Sequence, residues 1–245
     1  MISGLLLLIV TFLGAFMGET MGKLLKNNMP LLLSFGGAFL LGLCFLHLLP
    51  EAFVSNGQAG FWVIGGFLIQ IALEYLSKGM EHGHVHGNRF GLLAFVSLCM
   101  HAFIESMPFG LEDVPVAAHE HTDLHGHHHH HPAAGWPLLI GIGLHKLPVA
   151  IALMTILRAT VTSQTTRWIW VAVFAVTPLA GIALAGSLPQ DAATTGALNG
   201  LLVGILLHIA TTILFETSDG HHFNGRKFLT IIMGLVLSLL TTHLH

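Results

Sequence analysis

Eight apolar runs constrain this chain more than anything else in its sequence: 2–21, 31–53, 60–77, 90–110, 136–157, 168–187, 196–216 and 227–244. A helix rises about 1.5 Å per residue, so roughly 20 apolar residues cover a hydrocarbon core of ~30 Å. Inside a bilayer the backbone has only itself to hydrogen-bond, so runs of this length predict helices. The expected fold is an all-α polytopic membrane protein with eight transmembrane helices, forming a single transmembrane domain over 1–245. Only 9% of the residues are charged, against about 25% in soluble domains, which excludes an ordinary globular enzyme. The net charge is −3 and no basic cluster is present, so the expected partner is the lipid bilayer and not nucleic acid. Residues 1–21 fit a cleaved leader poorly, because no basic residue precedes the apolar run. Cys44 and Cys99 both fall inside apolar runs, where a lone thiol acts as a small hydrophobe, so no disulfide framework is implied.

Orientation follows from the cations. Lys23 and Lys26 follow the first run, Lys78 and Arg89 the third, Arg158 and Arg167 the fifth, and Arg226 and Lys227 the seventh. Every Lys and Arg except Lys146 therefore falls in an odd-numbered loop. Positive-inside logic makes those loops cytoplasmic and puts both termini outside the cell (plasma or inner) membrane. The opposite loops hold Glu112, Asp113, Glu120, Asp123 and Asp191, with Glu51 at the outer end of the second run. An acidic mouth gathers cations.

Two loops are rich in histidine. The cytoplasmic loop, 78–89, holds His82, His84 and His86; the external loop, 111–135, ends in His127, His128, His129, His130 and His131. Such tracts capture Zn2+ and similar ions weakly. The alternative is a solvated polar loop with no essential part.

Ionisable groups at membrane depth carry the functional signal, because they are costly there and mark pathways or ligands. His101 and Glu105 lie four apart in the fourth run and share a helix face; His145 lies in the fifth and can complete a shell from a neighbouring helix. Two imidazoles and a carboxylate suit Zn2+, with Cd2+, Fe2+, Co2+ and Ni2+ as alternatives, and disfavour the oxygen-seeking Mg2+ and Ca2+. Loading should weaken as pH falls toward the ordinary histidine pKa of about 6.5. His47 and Glu51 share a face at the outer end of the second run and are the candidate entrance; a structural hydrogen bond is the alternative. Glu74, His208 and Glu216 are candidates for a release path. Glu19 has Lys23 one turn on, as an (i, i+4) surface pair. Pro148 and Pro178 free the carbonyls of Leu144 and Phe174, which then face either a hydrated path or a neighbouring hydroxyl.

His101 with Glu105, and His145 with Pro148, resemble the paired metal-site signatures of the ZIP (Zrt- and Irt-like protein) transporters. His47-Leu48-Leu49-Pro50-Glu51, Thr177-Pro178-Leu179 and Glu216 support the resemblance, which covers the whole chain. It implies a divalent metal carrier of the elevator type, most often moving zinc into the cytoplasm, with helices four and five at the core of the bundle and a homodimer as a common assembly. Many relatives bind two ions. The positions that would supply the second ion's ligands are here Ala102, Lys146, Val149 and Thr177, none of them a good ligand. The His145-Lys146 pair resembles a branch in which Lys replaces the second ion. That implies one metal on His101, Glu105 and His145, with a fourth position for water or another group. The Pro usual before the fourth-helix Glu is replaced by Ile104, so that helix is expected to run straighter until Pro108.

An ammonium about 6 Å from a dication, at an effective dielectric near 20, repels it by roughly 5 kcal/mol. Glu105 offsets part of this by pairing with Lys146 when no metal is bound; the alternatives are a lysine deprotonated by burial or one whose long stem carries its charge to water. Two other classes compete with the carrier. An intramembrane zinc hydrolase would use a similar ligand set, but the chain has no H-E-x-x-H helix and Lys146 has no part in that chemistry. An exporter or metal sensor is suggested only by the His tracts. No enzyme activity is expected.

Overall fold

The computed structural model describes residues 2–25, 28–77, 91–111, 135–216 and 225–243. No strand occurs among them. The helices are α1 (Ile2–Leu25), α2 (Met29–Leu43), α3 (Leu49–Ser55), α4 (Ala59–Ser77), α5 (Leu92–Ser106), α6 (Trp136–Thr160), α7 (Gln164–Ala185), α8 (Ala192–Glu216) and α9 (Gly225–His243). A π turn, Cys44–Leu48, joins α2 to α3 as one rod, and a 3-10 turn, Met107–Gly110, extends α5. Seven of these stretches are long and apolar enough to cross a membrane among the described residues, so the chain is a helical polytopic membrane protein. The eighth expected run lies on α9, a 19-residue helix that carries Arg226 and Lys227 in its first turn and is not one of the seven.

Why α1 takes its place is visible in its spacing. Leu7, Thr11, Ala15 and Gly18 recur every three or four residues and are buried, while Leu5, Ile9, Leu13 and Phe16 are exposed. A helix with an apolar outer face has lipid as its solvent.

The closest packing joins helices remote in sequence and parallel in direction: α1 with α6, α2 with α9, α4 with α8, and α5 with α7. On α4, Gly66 lies against the carbonyl of Leu201; on α8, Gly204 lies against the carbonyl of Val63. A Cβ at either place would fall on that backbone oxygen, so only glycine permits the approach. These pairs form two groups. One gathers α1, α5, α6 and α7; the other gathers α2, α3, α4, α8 and α9; α2 with α6 and α4 with α5 are the main contacts between them.

Two apolar clusters bracket the middle of α6. Toward the end of the bundle marked by Glu51, Leu138, Leu139 and Ile142 pack with Phe39, Leu43, Leu48, Leu202 and Leu206. Toward the end marked by Glu19, Val149, Leu153 and Leu157 pack with Phe95, Leu98, Ala102 and Phe174. His145 and Lys146 fall between the two. Both α6 and α7 continue through their prolines. The Leu144 carbonyl faces Gly36 of α2, and the Ser106 hydroxyl donates to the carbonyls of Phe103 and Pro178.

Two local features are not written in the runs. The π turn places His47 just before Pro50, where a wider turn makes room for a ring that cannot donate a hydrogen bond. Glu19 sits against Arg167 at 3.0 Å and Arg158 at 3.9 Å, tying α1 to α6 and α7; the Lys23 side chain, its expected partner, lies outside the described residues.

Candidate metal site

The middle of the bundle holds four ionisable side chains that solvent does not reach. His101 and Glu105 come from α5, His145 and Lys146 from α6, and each is at most 2% exposed. The α5 pair meets because a residue and the fourth after it stack on one helix face; α5 runs unbroken from Leu92 to Ser106, and Pro108 sits in the 3-10 turn beyond. His145 and Lys146 are consecutive and both turn inward, because α6 is buried almost all round at this depth.

Glu105 divides its two oxygens. Oε2 lies 3.1 Å from Nε2 of His101, and Oε1 accepts from the Lys146 ammonium at 2.8 Å. The imidazoles of His101 and His145 stand edge to face with centroids 5.9 Å apart. Lys146 has a second neighbour, the Phe174 ring of α7, whose centroid lies 4.9 Å from Nζ. An aromatic face spreads part of the ammonium charge where water cannot.

One ligand atom from each of His101, Glu105 and His145 lies within 4.8 Å of the others, and this is the one such group among the described residues. Around a tetrahedral Zn2+ with bonds of about 2.0–2.2 Å, ligand atoms stand roughly 3.3 Å apart. The α5 pair already has that spacing, so closing on an ion requires a shift of about an ångström from His145. The donor set of two nitrogens and one carboxylate oxygen is that of a borderline-soft dication.

Sequence spacing does not point to Gln70. Its Oε1 lies 3.1 Å from Nδ1 of His101, and the residue is fully buried. A polar residue inside an apolar run, four after Gly66 and four before Glu74, was the available signal; what it touches depends on how α4 meets α5.

The remaining sequence candidates divide clearly. His47 and Glu51 come together, with Nε2 and Oε2 at 3.9 Å and each side chain under a third exposed. Glu74 of α4 meets His208 of α8, whose ring also stands edge to face with Phe67. Glu216 ends α8, but its side chain lies outside the described residues, as do His82, His84, His86 and His127, His128, His129, His130 and His131. Ala102 and Val149 are buried in the apolar cluster, and the Thr177 hydroxyl donates to the carbonyl of Val173. Compared with models of protein families and with curated protein sequences, the chain gives no match.

Proposed function

We propose that this chain carries a divalent metal ion across a membrane, zinc before others, as a ZIP-like carrier with one ion on His101, Glu105 and His145. The observation that carries the reading is the convergence of those three ligand atoms, fully buried at mid-bundle, on a carboxylate whose other oxygen is held by Lys146. A resident structural ion would be served better without a fixed ammonium beside it. A cargo must also leave, and the lysine makes leaving cheaper: it recaptures Glu105 as the ion departs and repels the next ion until that carboxylate turns back.

The cycle is an exchange of ligands. A hydrated cation trades water for two imidazoles and one carboxylate oxygen, with neutral His101 and His145 offering their lone pairs. The apolar clusters on either side of the site keep water from bridging it. The two helix groups supply bodies that can shift against each other; the ligands ride on α5 and α6 in one group. His47 with Glu51 serves as the approach, and Glu74 with His208, followed by Glu216, as the exit. With the cation-rich loops inside, both termini outside and α9 as the eighth span, this direction is inward. The pairing of Lys146 with Glu105 disfavours an intramembrane hydrolase, which needs its carboxylate for a metal-bound water.

Uptake of Zn2+ by vesicles reconstituted with the protein tests the reading. The His101→Ala and Glu105→Ala proteins, folded and inserted to the same level, should lose uptake. Unchanged uptake in both rejects the site.

A further inference from the structure

We infer that Gln70 is a positioning residue for the metal ligand His101, and that it holds that ligand ready in only one arrangement of the two helix groups. The inference rests on the carrier reading and deepens it. Gln70 Oε1 lies 3.1 Å from Nδ1 of His101. An amide oxygen only accepts, so Nδ1 carries a proton; in the neutral ring that a metal requires, the Nε2 lone pair then faces Glu105 Oε2, 3.1 Å away. In that tautomer the two atoms are both acceptors, a pair for a cation to bridge. The hydrogen bond therefore fixes both the tautomer and the ring plane that a metal needs, as the outer partner of a ligating histidine does.

The second step comes from where Gln70 stands. It belongs to α4, which packs on α8, whereas His101 belongs to α5, which packs on α7. The bond thus crosses between the two helix groups. A second polar contact crosses beside it, from the Ser97 hydroxyl of α5 to the carbonyl of Leu73 on α4. Within its own group α4 is held by backbone-close glycine contacts, which do not slide without steric cost, together with the Glu74–His208 pair. Directional hydrogen bonds between the groups can break and re-form. When the groups shift, His101 loses its acceptor, its ring is released, and the site binds the ion less well. Gln70 thereby makes affinity high in one arrangement and lower in the other, which a carrier requires for net release.

Zn2+ uptake kinetics on reconstituted protein, with ring 15N spectra of histidine-labelled protein, test this. The His101 signals are those that disappear in the His101→Ala protein. They should show the Nδ1–H tautomer; the Nε2–H tautomer overturns the inference. Gln70→Met removes the acceptor at nearly constant volume and should raise KM about 10–100-fold without lowering kcat, because a more weakly held ion is released no more slowly. An unchanged KM overturns it. Should Gln70→Met fail to fold, Gln70→Glu, which keeps an acceptor, decides: a KM at or below the parent value supports the inference and a raised KM overturns it. The carrier reading fails separately, if His101→Ala leaves uptake intact. Loss of uptake there, with KM unmoved by Gln70→Met, removes only the role of Gln70.

Discussion

Lys146 and Glu105 form a buried ion pair at 2.8 Å across α5 and α6, and the same carboxylate faces His101 at 3.1 Å through its other oxygen. One carboxylate thus stands between the lysine and the place proposed for the metal ion. Lys146→Met keeps the length and apolar stem of the side chain and removes its charge. The metal then no longer competes for Glu105 nor meets the ammonium, a repulsion of up to roughly 5 kcal/mol at an effective dielectric near 20. Zn2+ should bind at least about tenfold more tightly by titration calorimetry, at the same one ion per chain, while turnover in vesicles falls because release slows. Equal affinity in parent and variant would show that Lys146 does not act on the metal.

The pair also makes a prediction about stability. Glu105→Gln leaves the buried Lys146 ammonium without its counter-ion, with a neutral amide oxygen and the Phe174 face in its place. Breaking a buried pair from one side costs about 3–5 kcal/mol, whereas replacing both partners by neutral groups is often close to neutral. The Glu105→Gln protein should therefore melt well below the parent in detergent. The Glu105→Gln, Lys146→Met double variant should recover most of that loss but no metal binding. Additive effects of the two changes would contradict a coupled pair.

Adjacent glycines on α4 separate packing from helix propensity. Gly66 faces the Leu201 carbonyl of α8, whereas a Cβ at Gly65 would meet nothing within 4 Å. Gly66→Ala should force α4 and α8 apart and lower the melting temperature. Gly65→Ala should be neutral or slightly stabilising, because alanine favours a helix over glycine by about 1 kcal/mol. Thermal unfolding of the two purified variants side by side checks this, and equal melting temperatures would remove the case for close α4–α8 packing.

How much of this was legible before the structure follows from the range of each signal. The apolar runs and the stacking of His101 over Glu105 are local, written in spacing, and the helices follow the runs closely up to α8. The approach of His145 needed the assumption that α5 and α6 are neighbours. That assumption carried no information on the parallel pairing of α1 with α6 or α4 with α8, which rests on glycine faces matched over more than a hundred residues. Glu19 shows how a remote partner escapes a local rule: spacing points to Lys23, whose side chain lies outside the described residues, and says nothing of Arg167 and Arg158, which the fold brings from either end of the α6–α7 turn. Gln70 was unreadable for the same reason. A buried amide in an apolar run declares only that it has a partner, and the partner is 31 residues away.

His208 and Glu74 join α8 to α4 within one helix group, whereas the proposed ligands His101, Glu105 and His145 ride on the other. A pair so placed keeps its position while the ligand-bearing helices shift. If an ion leaving His145 passes it, the pair supplies a carboxylate and an imidazole at a second depth without competing for the first. His208→Ala should then leave Zn2+ affinity and the count of one ion per chain unchanged while slowing turnover several-fold, and Glu74→Gln should act in the same sense. In a single-turnover experiment on preloaded vesicles the defect should appear in the release phase and not in loading. A loading defect in either variant would place the pair before the central site, and normal kinetics in both would take it off the path.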